Sequence, residues 1–245
     1  GKTFRNDIDP NYKANRSEAP KELKEQLPIC IDMIERMGLC SLRVEGYEAD
    51  DIIASFIKNN SQDDLQIKVV THDKDLYQLI SPRVSIYSPA KKELYDRDGC
   101  YEKYGIYPEQ VRDFLALTGD SADNIPGVKG IGDKGAKKLL DEFGTIENLY
   151  ENLNQVRNER TKNLLFDGKE SAFISKRLAS LYDGLKTPDL QNAKFPQHNP
   201  LIKIQDILKE YSLNRLLANL RSDEPVKELS FEPVLITDEC ELERI

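Results

Sequence analysis

The sequence of 245 residues contains no tryptophan, two methionines, two histidines and four cysteines. None of Cys30, Cys40, Cys100 and Cys240 falls in a CxxC pair, and only His72 and His198 could assist them. This scarcity argues against a zinc site and suggests no structural disulfides, so any metal would be held by oxygen. Long apolar runs are missing too. No stretch approaches the ~20 residues of a membrane span and no signal peptide is visible, which leads us to expect a cytoplasmic chain with no membrane partner.

Net positive charge is also lacking: the formal balance is −8. At first this opposes a nucleic-acid partner. A net value hides distribution, however, and carboxylates gathered to hold divalent cations would contribute negative charge that the ions offset. With 39% hydrophobic and 32% charged residues, the composition is that of a solvated globular protein. Its length suits two domains or one large one.

The most informative stretch is TGDSADNIPGVKGIGDKGAKK, residues 118–138. Asp120 and Asp123 open it at i and i+3, a spacing that puts both carboxylates on one face if the turn is helical. Alone they could be ordinary helix caps. Gly127, Gly130 and Gly132 follow where the backbone must turn tightly or approach something closely. The next helix should begin near Gly132 or Asp133, so that its unpaired N–H groups suit a phosphate. Lys129, Lys134, Lys137 and Lys138 add positive charge, while Ile125, Val128, Ile131, Ala136, Leu139 and Leu140 remain to pack two helices together. The pattern reads as a helix-hairpin-helix that grips a nucleic-acid backbone without reading bases. The plain alternative is an αα-turn with ordinary caps.

Two further acidic groups lie upstream. In GYEADDIIASFIKN, Glu48, Asp50 and Asp51 crowd the first turn of a helix whose Ile52, Ile53, Phe56 and Ile57 face a core. One acid there favours the helix dipole, worth ~0.3–1 kcal/mol, but three together repel. In HDKD, Asp73 and Asp75 follow the β-branched run of residues 66–71, which reads as a buried strand in a parallel sheet. Ligands of open α/β sheets bind beyond such strand ends. Oxygen clusters of this kind hold Mg²⁺ or Mn²⁺. Two ions roughly 4 Å apart would activate water and polarise a phosphodiester, so the chemistry implied is hydrolysis of nucleic acid.

Elsewhere the pattern predicts a helix over residues 21–37 with Leu23, Leu27, Ile31, Ile34 and Met37 on one side, kinked or restarted at Pro28 and ended by Gly38. Short strands are expected at 41–44 and 84–87, and a short helix at 76–80. From about residue 108 to 221 the chain reads as short amphipathic helices, including 108–117, 136–143, 146–153, 171–181 and 201–211. A charged linker at 222–229 then precedes FEPVLITD, the start of another strand. The first twenty residues carry Arg5, Tyr12, Lys13 and Arg16 without periodicity, which on residues alone favours a disordered end over a phosphate-meeting segment.

FRNDIDPNYKANR, GYEADD, THDKDLYQL and LTGDSADNIPGVKGIGDKGAKKLL, in this order, make the sequence resemble the 5′ nuclease (5′-3′ exonuclease, flap endonuclease-like) domain of bacterial family A DNA polymerases over about nine-tenths of the chain. The resemblance implies an α/β fold: a resolvase/PIN-like parallel sheet with helices at 1–107, an all-α SAM-like helix-hairpin-helix domain at 108–221, and a linker opening an exonuclease-like domain at 222–245. It implies Glu48, Asp50, Asp51, Asp73, Asp75, Asp120 and Asp123 as metal-site carboxylates for two Mg²⁺ or Mn²⁺ ions. Lys13, Arg16, Asp51, Asp73 and Asp120 would be the catalytic set. DNA would be met by Arg5, Tyr12, Lys13 and Arg16 at the base of an arch, by Gly127, Val128, Lys129, Gly130, Ile131 and Gly132 in the hairpin, which could hold a K⁺, and by Lys134 and Lys137.

The same resemblance reverses the reading of the first twenty residues. It implies DNA partners such as 5′ flaps, nicked duplex and RNA primer-DNA junctions, a monomer, and downstream polymerase domains in a parent chain. Family members carry two strand-end aspartates ahead of the FR segment, absent from this sequence, so a fragment is expected. Two other readings are a catalytically incomplete duplex-binding module and a PIN-type RNA nuclease, which does not normally carry the hairpin.

Overall fold

The computed structural model describes residues 2–60 and 65–221. They form two compact units, one from residues 1–20 and 42–192, the other from 21–41 and from Ala193 onward. The expected linker at 222–229 and the strand after it lie outside the described residues.

In the first unit a short helix, α1 (Arg5–Ile8), opens the chain, and the second unit's α2 (Lys21–Met37) follows it in sequence. Helix α3 (Ala49–Asn59) starts at a capping box in which the Glu48 side chain meets the Asp51 backbone and the Asp51 side chain accepts from the Glu48 N–H. This arrangement satisfies two donors that a helix start otherwise leaves unpaired. Strand β1 (Ile67–Val70) pairs in parallel with β2 (Val84–Ser88), Ile67 opposite Val84, and β3 (Glu93–Tyr95) pairs antiparallel to β2. The order is β1-β2-β3.

Several sequence expectations are corrected here. The run of residues 66–71 predicts a strand buried on both faces, yet in β1 only Val69 is buried and Val70, whose side chain points to the opposite face, is 64% exposed. Residues 41–44 form no strand, for want of a described partner to complete a ladder. The expected helix at 76–80 is a 3₁₀ turn, Asp75–Leu79. The three-residue β3 is too short and polar to show as a periodic run.

After the sheet come α4 (Arg97–Tyr104), α5 (Val111–Thr118), α6 (Asp133–Phe143), α7 (Ile146–Glu151), α8 (Glu159–Asp167) and α9 (Lys169–Ala179). Side-chain caps from Asp96, Thr145 and Asn158 start α4, α7 and α8, each worth about 1 kcal/mol. One core joins sheet and helices: Val69 and Ile86 belong to the same cluster as Leu115, Leu140, Leu149, Leu165 and Leu178. Each fully buried leucine there contributes ~1.5–3 kcal/mol. Asp113, 1% exposed, receives Lys176 Nζ at 2.6 Å and the Ile146 N–H at 3.3 Å, and so ties α5, α9 and α7 together.

The second unit packs α2 against a small core of Ile204, Ile207 and Leu208, with α10 (Gln205–Glu210) and α11 (Asn214–Ala218). Helix α2 runs unbroken through Pro28. Its covered stripe is Ile29, Met33 and Met37, whereas Leu23, Leu27 and Ile31 are 44–49% exposed. The helix carries two apolar stripes, and periodicity alone does not say which one meets a partner.

Two of the turn's glycines are required by contact. Gly119, at φ 71°, ends α5, and Gly127, at φ 62°, lies against it: a Cβ on Gly127 would stand 2.3 Å from the Gly119 nitrogen. Gly130, at φ 92°, is also left-handed, but Gly132 is not: its φ is −103° and a Cβ there would meet nothing within 4 Å. Gly127→Ala should therefore destabilise the protein by at least ~2 kcal/mol, through a left-handed alanine and a forced backbone shift. Gly132→Ala, at a helix N-cap, should cost under ~1 kcal/mol. Urea titration separates the two, and coincident midpoints would show that the hairpin yields freely.

Candidate metal and nucleic-acid site

The acidic groups come from three elements. Glu48, Asp50 and Asp51 stand at the start of α3, Asp73 and Asp75 follow β1, and Asp120 and Asp123 sit in a turn after α5. That last turn is not helical, as a shared face at i and i+3 would require. It is a tight hairpin closed by Asp120 N–H to Ile125 O at 2.9 Å and Ile125 N–H to Asp120 O at 2.8 Å. Its backbone runs on directly into Gly127–Gly132.

Residues 9–16 clasp this turn. The Lys13 N–H donates to Asp123 O at 3.0 Å, Asn124 Nδ2 to Asn11 O at 2.7 Å, and Asn15 Nδ2 to Ser121 O at 2.6 Å. Lys13 and Asn124 both hold positive φ, 57° and 56°, which is rare without a glycine and persists only where neighbours enforce it. The clasp aims side chains at the acids. Lys13 Nζ reaches Glu48 Oε2 at 2.6 Å and Asp123 Oδ2 at 3.4 Å, Arg16 pairs with Asp123, and the buried Tyr12 hydroxyl lies 3.3 Å from both Glu48 and Asp123. Lys13, Arg16, Glu48, Asp50, Asp73 and Asp123 line one open cleft.

Electrostatics extend the same grouping to Asp75 and Asp120. Burial, then the charges of Asp73 and Glu48, push Asp50 up to about 6. Burial and Asp73, with smaller effects of Asp120 and Asp123 and against the pull of Lys74, push Asp75 up to about 7. Asp75 Oδ1 is buried without a hydrogen-bond partner. Asp120 goes the other way: burial alone would raise it, but Lys74 Nζ at 3.0 Å and the Ala122 N–H hold it below the usual carboxylate range. Lys74 is missing from the residues that the sequence singled out, although its place between Asp73 and Asp75 is a visible signal.

Asp51 stands apart from the other acids. It is fully buried, and both oxygens are occupied by the Arg5 guanidinium at 2.7 and 2.8 Å, the Tyr182 N–H at 2.9 Å and the Glu48 N–H at 3.1 Å. Burial would raise it, but the Arg5 pairing and these donors hold it low. Arg5, expected to meet DNA, is 2% exposed and faces inward.

In the hairpin, Val128 and Ile131 are buried anchors, at 2% and 7% exposure, so only their backbone groups can meet a ligand. Lys129, Gly130, Gly132 and Lys134 are exposed, and Lys137 is half-buried beside Gly105.

Oxygen-only donors, two carboxylates raised by burial and neighbouring like charge, and one orphaned buried carboxylate oxygen suit hard divalent cations. Among the described residues no three carboxylates stand close enough to cage an ion as they are placed. Lys13, Arg16 and Lys74 bridge to them instead.

Known proteins bear on this arrangement. Residues 1–105 match the family model described as 5′-3′ exonuclease, N-terminal resolvase-like domain, and residues 106–201 match 5′-3′ exonuclease, C-terminal SAM fold. DNA polymerase I of Helicobacter pylori is 40% identical over 225 residues, covering 90% of this chain and 25% of that polymerase. The thermostable DNA polymerase I of Thermus thermophilus is 36% identical over 232 residues, covering 94% and 28% respectively. The chain thus spans about a quarter of the length of these relatives. Among solved structures, T5 5′-exonuclease with bound zinc superposes with a TM-score of 0.67 at 25% identity, covering 89% of this chain and 80% of that one.

The raised Asp75 predicts a pH effect. In the folded chain it stays protonated up to about 7, whereas an unfolded aspartate ionises near ~3.9. Folded protein therefore binds more protons between these values, and its stability falls as pH rises through them and levels off above. Asp75→Asn should remove that fall. In EDTA the variant should match the parent near pH 4 and be more stable by roughly 1–3 kcal/mol at pH 8. Parallel stability curves would show that Asp75 is not crowded.

Proposed function

We propose, for a chain that belongs to the 5′-3′ exonuclease family, that it is the metal-dependent 5′ nuclease part of a longer DNA polymerase and hydrolyses phosphodiesters at 5′ flaps, nicked duplex and primer remnants. The observation that carries this reading is the meeting of three acidic groups with Lys13 and Arg16 in one cleft, on the same backbone turn that opens the hairpin. The two domains are taken as 1–107 and 108–221, in keeping with a change of family model between residues 105 and 106.

Glu48, Asp50, Asp73, Asp75, Asp120 and Asp123 would hold the cations, which we take to be two Mg²⁺ or Mn²⁺ ions. When bound, such ions supply a nucleophilic hydroxide and stabilise the leaving oxygen. The chain's own residues do the rest. Lys13 and Lys74 pair with Glu48, Asp123 and Asp120, which keeps two positive charges beside the carboxylates where a phosphate would lie. Lys13 is held in place by its clasped backbone, and a fixed positive charge there stabilises charge that develops on the scissile phosphate. Arg16, more than half exposed, reaches the adjoining strand. The exposed backbone from Lys129 to Gly132 and the start of α6, with Lys134 and Lys137, grips duplex phosphates, and the hairpin carbonyls could accept a K⁺. A monomer working on DNA in the cytoplasm fits this reading, and no helix among the described residues is long and apolar enough to cross a membrane.

In the full-length parent, Asp120→Asn should lower flap cleavage by at least ~100-fold, as expected when a group acting in the transition state is removed. Duplex affinity should stay within about threefold, since phosphate contacts dominate it. Unchanged cleavage would end the nuclease reading. Lys129→Ala with Lys134→Ala should instead weaken duplex binding for every sequence alike and reduce its salt slope by about 2, one for each phosphate no longer neutralised. A slope equal to the parent's would place the duplex elsewhere.

A further inference from the structure

One buried arrangement is left unused by the chemistry above. Arg5 Nη1 and Nη2 hold Asp51 in a two-pronged pair at 2.7 and 2.8 Å, while Arg5 Nε donates to Leu178 O at 2.8 Å and Nη2 to Ser180 O at 2.9 Å. Those two carbonyls lie at the carboxyl end of α9. Earlier along α9, from its first turn to its middle, Ser171 Oγ donates to Gly127 O at 2.6 Å and Ser175 Oγ accepts from the Gly127 N–H at 2.9 Å. One helix therefore holds the hairpin by two hydroxyls and the start of α3 by a buried guanidinium. Asp51 in turn accepts the Glu48 N–H, which fixes where the Glu48 carboxylate stands beside Lys13.

We infer that α9 is a strut that sets the distance from the duplex-gripping hairpin to the acidic cleft, with Arg5 and Asp51 as positioning residues at its carboxyl end and Ser171 and Ser175, earlier on the helix, holding the hairpin. This deepens the nuclease reading and rests on it. Asp51 is thereby separated from the metal-holding acids, because a carboxylate offers about four acceptor positions and its four are filled. From Ser171 to Leu178 the strut rises about 10 Å along the helix axis. An error near 1 Å in such a spacing costs ~100-fold in rate when reacting atoms must align. The consequence is specific: a loosened strut misplaces the scissile phosphate relative to the acids, so that the cut moves along the strand.

The test uses the natural full-length protein with a 3′-labelled 5′-flap duplex, with products sized to one nucleotide, alongside calorimetric titration of the DNA-free protein with Mn²⁺. Asp51→Asn should lower Mn²⁺ affinity by less than tenfold, through Glu48 alone, lower kcat by at least thirtyfold and spread the cuts over neighbouring positions. Ser171→Ala with Ser175→Ala, which leaves every charge in place, should spread the cuts in the same way with a three- to tenfold fall in kcat and duplex Kd within threefold. Arg5→Lys should keep more of the single cut than Arg5→Met. A tenfold or greater loss of Mn²⁺ affinity in Asp51→Asn, with one unmoved cut, would make Asp51 a metal ligand and overturn the inference. So would a double serine variant that cuts at the parent's position and rate, and this variant decides alone if thermal melting shows Asp51→Asn to be unfolded. Failure of the unsubstituted protein to cut flaps at all would instead sink the nuclease reading, a result distinct from intact cleavage that the variants leave unmoved.

Discussion

Like charges held close together are the constraint on which the rest of this structure depends. Six carboxylates from three elements share one neighbourhood, and water alone does not relieve their repulsion because several are buried. The fold answers in two ways. Asp50 and Asp75 are pushed toward the protonated form, while Glu48, Asp120 and Asp123 are matched with Lys13, Lys74 and Arg16. Buried ion pairs add little net stability once desolvation is counted, so stability alone does not account for gathering them. A site where burial and like charges push carboxylates well above their ordinary range is the kind of place where function and stability compete.

That competition also shows in the backbone. Lys13 and Asn124 face each other's segments with left-handed φ, and both are held by hydrogen bonds across the same short gap. Conformations that cost ~1–3 kcal/mol each survive only where the surroundings over-determine them. Here the surroundings are each other: residues 9–16 brace the acid turn, and the acid turn braces residues 9–16. The Gly119–Gly127 contact then leaves no room for the hairpin to drift from that turn. Acids and hairpin are thus consecutive parts of one rigid backbone path.

Much of this is legible in the residues. Acids in excess of any helix-cap need at Glu48–Asp51, paired aspartates in HDKD and the glycine-spaced turn each signal chemistry that local structure does not explain. Other features are hidden for physical reasons. A three-residue strand has no period to detect, and a β-branched run such as IKVV has the same pattern whether one or both of its faces are covered. Arg5 reads as a surface cation because nothing local marks a charge whose partners lie 46, 173 and 175 residues away. For the same reason Asp51 groups with its neighbours Glu48 and Asp50 in the sequence, although its helical position turns it inward.

The shared core bears on how such a chain would discriminate among substrates. Val69 and Ile86 of the sheet pack in the same cluster as Leu140 and Leu178 of the helices around the hairpin. Close-packed interiors transmit displacement and resist graded deformation. A hairpin and an acidic cleft fixed in one such interior cannot readily adjust their spacing to whatever they meet. On the proposed reading, selection would then fall to the substrate: only a duplex whose free 5′ end lies at the set distance from its gripped phosphates would present a phosphodiester to the acids. Preference for a structure over a sequence would then follow from rigidity, with no need for a side chain that reads a base.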